Sequence, residues 1–243
     1  MRDRHSFQSD LGSAGRVWGL RHRLIKGPCK KVELEAMQYV AKRTTVPVPK
    51  VFTVYPYHDA RIYIEMEYIR GIDLETAWLD GHLEIAGYVN QLRSLEPPHK
   101  GFVGSASGEG GLDGRVGYSP FSPFPGHEGF HTIFSKNIPI EDCAQVFGQE
   151  VTDSHTRYYR SCFSHADLAP RNIIIENGKI AALIDWEYGG WYLEYWEYTK
   201  AHYVPVGMSD WYEGLKSAIT RYDDELRAEQ NPWTQCELPG MLF

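Results

Sequence analysis

Residues 165–172 read HADLAPRN, and residues 184–187 a little further on read IDWE. The first stretch places the carboxylate of Asp167 five residues before the amide of Asn172, and the second adds the carboxylate of Asp185. A carboxylate at a loop tip can act as a general base, while an amide oxygen and a second carboxylate are ligands that Mg²⁺ accepts. Together the two stretches predict a site for the transfer of a phosphoryl group.

The segment between the two stretches reads as a β-hairpin. Asn177-Gly178 is a strong signal for a two-residue turn, and apolar runs at 173–176 and 179–184 flank it. The second strand of a hairpin ends beside the start of the first strand. We therefore expect Asp185, which follows the second strand, to lie beside Asn172, which precedes the first. Each residue alone is also an ordinary turn residue, and the prediction of a magnesium site depends on finding all of them together.

The chain resembles the aminoglycoside phosphotransferase and choline kinase superfamily, a branch of the protein-kinase-like fold, and within it a fungal-type phosphotransferase group. The similarity covers most of the chain in the same order. It is specific to the family but not to any substrate. The motifs that carry it are LIKG at 24–27, EAM at 35–37 leading to TVPVPKV at 45–51, YIEMEYIRG at 63–71, the HADLAPRN loop, and IDWEYGGWY at 184–192 through YWE at 195–197.

The resemblance implies an α+β fold with two lobes. A shortened N-lobe, residues 1–70, would combine a small antiparallel sheet with one helix and cover the nucleotide. A larger, mostly helical C-lobe, residues 71–243, would carry the catalytic loop, the metal site and the acceptor region. The length of 243 residues suits one such domain with a substantial core.

The resemblance also implies roles for the residues of the loop. Asp167 would orient and deprotonate an acceptor hydroxyl, and Asn172 and Asp185 would hold Mg²⁺. Arg171, beside the metal ligands, would stabilise the transferred phosphoryl group. His165 is grouped with these catalytic residues because it would fix the shape of the loop.

Lys26 ends an apolar strand, so its side chain is expected to face inward and to need a partner. A helix over about residues 31–42 offers both Glu33 and Glu35, and such a pair would hold the lysine against nucleotide phosphates. The family pattern favours Glu35, and Glu33 stays open. The resemblance further implies that ATP binds through its adenine to main-chain groups of an interlobe hinge around Glu67 and Ile69.

The sequence indicates the residues that bind the acceptor less clearly than it indicates the catalytic and metal-binding residues. Glu187, Glu194 and Trp191 follow the predicted metal ligand closely and are the candidates to contact a polar or cationic acceptor. The long segment 97–129, rich in Gly, Pro, Ser and Phe, could form an acceptor wall or fasten a loop to the core. An aminoglycoside, a choline-like amine, a sugar and a fungal secondary metabolite all remain open as the acceptor.

The composition argues against several classes of binding partner and bears on the cellular compartment. The net charge of −7 and the absence of a long basic run argue against a nucleic acid or an anionic membrane. Four widely spaced cysteines indicate neither a zinc site nor a disulfide framework. No apolar run approaches the roughly 20 residues that span a bilayer, and the N-terminus lacks the apolar region of a signal peptide. We therefore expect a cytoplasmic protein, and its oligomeric state is not predicted.

These observations predict an ATP- and Mg²⁺-dependent enzyme that transfers the γ-phosphoryl group to a hydroxyl of a small molecule. The alternative is a member of the fold that does not phosphorylate, either a pseudokinase or an enzyme of fungal secondary metabolism that uses Asp167 for acid–base dehydration or cyclisation. The shortened N-lobe keeps this alternative open. A pure interaction module has the least support, because an interaction surface does not need metal-type spacing.

Overall fold

The structure is a computed structural model, and it describes residues 18–20, 22–77, 82–117, 119–203 and 209–236. The residues form a smaller N-terminal lobe and a larger lobe that is mainly helical. This is the mixed α and β architecture expected from the sequence.

The smaller lobe is an antiparallel sheet in the order β1-β2-β4-β3 with one helix packed on it. Side chains of β4 alternate between buried and partly exposed, as expected for a sheet with one face on the core. The buried face contributes Ile62, Ile64 and Met66 to the same cluster as Met37 of the helix. The elements are β1 (Trp18–Leu20), β2 (Arg23–Lys30), α1 (Lys31–Arg43), β3 (Val51–Pro56) and β4 (Arg61–Glu67).

The connection between the lobes passes through a short strand, β5 (Ile72–Asp73), which pairs with β8 (Ile173–Glu176) of the larger lobe. Gly71 immediately precedes β5 and has a φ of 133°. A Cβ at this position would lie 2.3 Å from the carbonyl oxygen of Ile175, so only glycine lets the two backbones approach this closely.

The larger lobe surrounds two small sheets with helices. One sheet has the order β6-β10-β7, and the other has the order β5-β8-β9. The strands are β6 (Gly104–Ser105), β7 (Ser161–Ser164), β8, β9 (Lys179–Leu183) and β10 (Gly190–Leu193). The helices are α2 (Leu74–Ala77), α3 (His82–Arg93), α4 (His127–Phe134), α5 (Ile140–Phe147), α6 (Gln149–Thr156), α7 (Trp196–Ala201), α8 (Ser209–Ala218) and α9 (Asp223–Cys236).

The predicted hairpin is present as β8 and β9. Asn177 and Gly178 both have positive φ, 52° and 74°, which is the requirement of a two-residue turn with the twist of a β-hairpin. A 3₁₀ turn over Pro170–Asn172 precedes β8. The hairpin and this turn bring the two motif stretches to one edge of the sheet.

The aromatic segment after residue 187 contains two elements, since its first part forms β10 and Trp196–Ala201 forms an α-helix. Its rings are mostly core: Tyr192, Tyr195 and Trp196 are fully buried. Phe121 and Phe130 pack in the same cluster, so part of the irregular segment 97–129 is fastened to the core. Within the described ranges, no helix has the length and apolar character to cross a bilayer.

Candidate active site

The loop that carries Asp167 emerges from a strand, β7, whose four residues are all buried. Glu197 of α7 holds the first turn of this loop. Its two carboxylate oxygens accept hydrogen bonds from the backbone N–H groups of His165 at 2.5 Å and Ala166 at 3.1 Å. Ala166 has a φ of 60°, a conformation that a non-glycine residue keeps only when its surroundings fix it. Glu197 is thus the anchor of the loop.

His165 is fully buried and does not reach the cleft. Its Nδ1 accepts a hydrogen bond from the N–H of Asp167 at 3.3 Å, so the proton lies on Nε2, which donates to the carbonyl oxygen of Ile184 at 3.0 Å. Burial lowers the pKa of His165, which keeps the imidazole neutral. His165 therefore packs behind the loop and holds its shape, as expected from the sequence, and its grouping with the catalytic residues stays a prediction.

Asp167 is partly exposed at the loop tip and is held by two neighbours. Arg171 donates from Nη2 to both carboxylate oxygens at 2.9 Å, and Asn172 donates from Nδ2 at 2.7 Å. The amide nitrogen of Asn172 also donates to the carbonyl oxygen of Asp167 at 2.9 Å. Since Nδ2 is used in this way, the carbonyl oxygen Oδ1 is the atom of Asn172 that can bind a cation.

The structure brings Asp185 next to Asn172, as the hairpin predicted. The N–H of Ile184 donates to the carbonyl oxygen of Asn172 at 2.9 Å, which joins the two motif stretches directly. The described residues contain no group of three or more His, Cys, Asp or Glu side chains arranged around a metal. A site of one amide and one carboxylate does not require such a group, because Mg²⁺ usually keeps several waters and binds substrate phosphates.

Lys26 reaches this edge from the smaller lobe. Its Nζ lies 2.6 Å from Glu33 Oε1 and 2.6 Å from Asp185 Oδ1. Burial disfavours the ammonium, but the two carboxylates outweigh this effect and raise the pKa of Lys26 above its ordinary value. A permanently charged ammonium therefore stands at the cleft beside the candidate metal ligands.

The structure corrects the partner of Lys26. Glu33 is buried and makes the ion pair, whereas Glu35 accepts a hydrogen bond from the hydroxyl of Ser107 at 2.7 Å. The two glutamates are two residues apart on α1 and therefore point to nearly opposite sides of the helix. Glu35 contacts a loop of the larger lobe and not the predicted nucleotide site.

Of the three acceptor candidates, only Glu187 belongs to this cluster. Burial and the negative charge of Asp185 raise its pKa to about 7. Trp191 is buried and packs edge-on against Phe163, so it is a core residue. Glu194 accepts hydrogen bonds from Arg160 and Tyr222, so its half-buried carboxylate is already engaged by residues of the larger lobe. The predictions that Trp191 and Glu194 contact an acceptor are not supported by these positions.

The predicted hinge lies where β4 ends. The N–H of Glu67 donates to the carbonyl oxygen of Lys50 at 2.8 Å, and the N–H of Tyr68 donates to that of His22 at 3.1 Å. Both N–H groups therefore form hydrogen bonds within the protein and are not available to bind the adenine of a nucleotide. Ile69 follows the sheet and is half-buried, so its main chain remains the candidate for adenine.

Sequence reasoning did not identify Glu197. The residue lies about thirty positions after the loop that it holds and within a run of aromatic residues, so no local spacing relates it to Asp167. A carboxylate in such an apolar run is unusual enough to indicate a buried acceptor of hydrogen bonds. That signal indicates a structural role but does not name the partner.

Comparisons with known proteins identify solved structures of similar fold. Among solved structures, aminoglycoside phosphotransferase APH(4)-Ia has a TM-score of 0.65 and 14% sequence identity, covering 93% of this chain and 82% of that chain. The GDP and kanamycin complex of APH(2")-IIia has a TM-score of 0.64 and 12% identity, covering 94% and 82%. ADP-bound APH(2'')-Ib has a TM-score of 0.58 and 14% identity, covering 94% and 81%. No curated protein sequence gives a match.

The structural similarities, at these low identities, show that the fold is the two-lobed kinase-like fold expected from the sequence. The family model APH, described as the phosphotransferase enzyme family, matches residues 30–230. This range is most of the 243 residues and includes Asp167, Asn172 and Asp185. The model does not distinguish a fungal-type group, which stays a prediction. The chain belongs to the phosphotransferase enzyme family.

Proposed function

We propose that this protein is a Mg²⁺- and ATP-dependent kinase that transfers the γ-phosphoryl group to a hydroxyl of a small molecule. The observation that carries the proposal is the ion-pair cluster in which Lys26 lies 2.6 Å from both Glu33 and Asp185. This cluster joins the smaller lobe to the edge that carries Asn172. It is the charge arrangement that phosphoryl transfer needs, since catalysis there depends mainly on positioning and neutralisation of charge.

The donor set suits the proposed cofactor. The Oδ1 of Asn172 and the carboxylate of Asp185 would hold Mg²⁺, which would neutralise phosphate charge when bound. The ammonium of Lys26 would contact the phosphate oxygens, and the main chain of Ile69 would contact adenine. Structures of similar fold in complex with ADP and with AMP-PNP support a nucleotide in this cleft.

Asp167 is the proposed base. An acceptor hydroxyl that hydrogen-bonds to its carboxylate would give up its proton to it while the acceptor oxygen forms a bond to the γ-phosphorus. The bond between that phosphorus and the bridging oxygen breaks, and ADP leaves. Arg171, which contacts Asp167 at 2.9 Å, would turn to the transferred group and stabilise its charge.

The acceptor is proposed to be a polar molecule with several hydroxyl or amino groups. The residue proposed to contact it is Glu187, whose pKa is raised first by burial and then by the nearby negative charge of Asp185. Ternary or binary complexes of similar fold contain hygromycin B and gentamicin, which are compounds of this kind. The concentration of negative charge would attract a cationic group on the acceptor.

The experiment combines binding with turnover. Purified protein is incubated with ATP, Mg²⁺ and a panel of aminoglycosides, amino alcohols and sugars, and phosphorylated products are identified by mass spectrometry. Asp167→Asn should lower turnover by at least roughly 10²-fold, as expected for a lost general base. It should keep the thermal stabilisation by ATP and Mg²⁺, because Asp167 is not a proposed metal ligand.

Asp142→Asn, an exposed change in the first turn of α5, is the matched control and should leave both readouts unchanged. The proposal would be rejected if neither ATP nor GTP, with Mg²⁺ or Mn²⁺, stabilised the protein or gave heat in calorimetry. Full turnover by Asp167→Asn on an identified acceptor would remove this residue from the mechanism.

A further inference from the structure

A cavity of about 660 Å³ lies in the larger lobe, between the turn at Lys100 and Gly101, helix α4 and the end of α6. Its volume is in the range of roughly 300–1,000 Å³ that is usual for small-molecule sites. The cavity is separate from the proposed active site: its residues Arg157 and Tyr158 precede β7, whereas the catalytic loop follows that strand. None of the proposed catalytic or metal-binding residues lines it.

Part of the cavity lining is apolar. Pro125, Ile138, Ile140 and Tyr158 contribute to it. Ile140 is 40% exposed and Tyr158 is 73% exposed, so these large side chains are not covered by the protein itself. An apolar ligand surface that covered them would gain from the removal of this area from water.

The charged groups of the cavity are mainly positive. Lys100 and Arg157 line it, and Glu128 is the one carboxylate among its lining residues. Within the described part of the chain, the ammonium of Lys100 makes no ion pair or hydrogen bond. Arg157 donates from Nη1 to Glu225 at 3.3 Å, which leaves other donors of its guanidinium for a ligand.

Three histidines also line the cavity: His127, His131 and His155. Burial lowers the pKa values of His127 and His131, so their rings are neutral and do not add positive charge at neutral pH. His155 is buried, and its ring nitrogens lack a hydrogen bond among the described residues. Its Nε2 lies 3.4 Å from Glu229 Oε1, which is too long for a good hydrogen bond. The rings of His127 and His131 therefore contribute polar groups to the lining without adding charge.

We propose that this cavity is a second binding site that takes a small organic anion with an apolar, ring-sized body, such as an arylalkyl carboxylate. The body packs against Ile140 and Tyr158, and the carboxylate pairs with Lys100 and Arg157. The proposal is independent of the reaction at Asp167. It follows from two properties of one cavity: large exposed apolar side chains in its lining, and a lysine in the same lining that makes no ion pair within the described residues.

The test uses 3-phenylpropionate as the probe and protein with ¹³C-labelled isoleucine δ1 methyl groups. Titration should shift the methyl signals of Ile138 and Ile140 in a saturable manner, while those of Ile173 and Ile184 at the catalytic edge stay in place. 3-Phenylpropionamide, which has the same body without the charge, should bind at least about fivefold more weakly, in line with the loss of ion pairs near the surface. Inorganic phosphate should give no saturable shift.

Two variants and one control complete the test. Lys100→Gln should weaken binding of 3-phenylpropionate about threefold, and Ile140→Glu should abolish it by placing a carboxylate among the apolar side chains of the lining. Lys179→Gln, an exposed lysine on β9, should leave binding unchanged. The proposal is overturned by the absence of saturable shifts at Ile138 and Ile140, by shifts confined to Ile173 and Ile184, or by equal affinity for the carboxylate and the amide.

Discussion

Lys26 shows how much one side chain of the cleft depends on its partner. Two carboxylates lie 2.6 Å from its Nζ, and of these Glu33 is buried while Asp185 is also the candidate metal ligand. When Mg²⁺ and phosphates occupy the cleft, Asp185 would turn to the metal. Glu33 would then be the carboxylate that keeps the ammonium in place.

This assignment leads to a comparison of two conservative changes on one helix. Glu33→Gln should weaken ATP affinity roughly tenfold, because a charge-assisted hydrogen bond in a buried setting contributes about 1.5–3 kcal/mol. Glu35→Gln, which loses only the contact to Ser107, should bind ATP like the unchanged protein. Isothermal titration of both variants with ATP and Mg²⁺ measures the difference. Equal losses, or a larger loss in Glu35→Gln, would show that the pair has been assigned to the wrong glutamate.

His165 gives a prediction on pH. Burial lowers its pKa in the folded protein below the ordinary value of 6.5, so its contribution to stability is present above that value. The contribution is lost as the pH falls, because the unfolded chain takes up the proton first. The stability advantage of the unchanged protein over His165→Gln should therefore shrink by about 1 kcal/mol between about pH 7 and pH 5. Urea unfolding at both pH values measures this, and an advantage that grows toward pH 5 would contradict it.

At the scale of elements, the site depends on how the loop and the hairpin are held. Glu197 of α7 fixes the start of the loop that carries Asp167 through two backbone N–H groups, and the hairpin places Asp185 beside Asn172. The hinge adds a third constraint, since Gly71 allows the chain to lie against β8. Helix α7, the β8–β9 hairpin and the hinge at Gly71 thus each constrain part of the candidate site.

The hinge contact can be tested with two glycines that both have a positive φ, Gly71 and Gly108. Gly71→Ala should lower the free energy of unfolding by about 3 kcal/mol or more, because its Cβ would lie 2.3 Å from the carbonyl oxygen of Ile175. Gly108 also has a positive φ, 86°, but nothing lies within 4 Å of a Cβ there. Gly108→Ala should cost only about 1–2 kcal/mol from the backbone conformation. Urea unfolding of both variants measures the two losses in free energy of unfolding. Similar losses would contradict the prediction and mean that the backbone at Gly71 is free to move.

The elements also show which features the sequence could predict. The Asn177-Gly178 turn and the catalytic loop depend on local chemistry, and the structure places them as expected. The choice between Glu33 and Glu35 depends on the rotation of α1 about its axis, which a family pattern does not determine. The burial of Trp191 and the partners of Glu194 depend on contacts between distant segments, as does the support of the loop by Glu197. No spacing in the sequence contains that information.

At the scale of the whole molecule, the two lobes meet at several contacts around the cleft. Lys26 of the smaller lobe pairs with Asp185 of the larger lobe, and Glu35 accepts a hydrogen bond from Ser107. Gly189 follows the metal-ligand segment and lies so close to α1 that a Cβ there would be 2.7 Å from that of Ala36. A nucleotide bound between the lobes would contact both sides, so its binding should stabilise the protein as one unit.

The most direct test of the proposed site is a crystal structure of the protein with a non-hydrolysable ATP analogue and Mg²⁺. The cation should lie between Asn172 Oδ1 and the carboxylate of Asp185, about 2.1 Å from each oxygen, with phosphate oxygens completing its shell. The ammonium of Lys26 should contact the phosphates and keep its bond to Glu33. A cation away from Asn172 and Asp185, or a triphosphate that does not reach Lys26, would contradict the assignment of this cleft as a kinase active site.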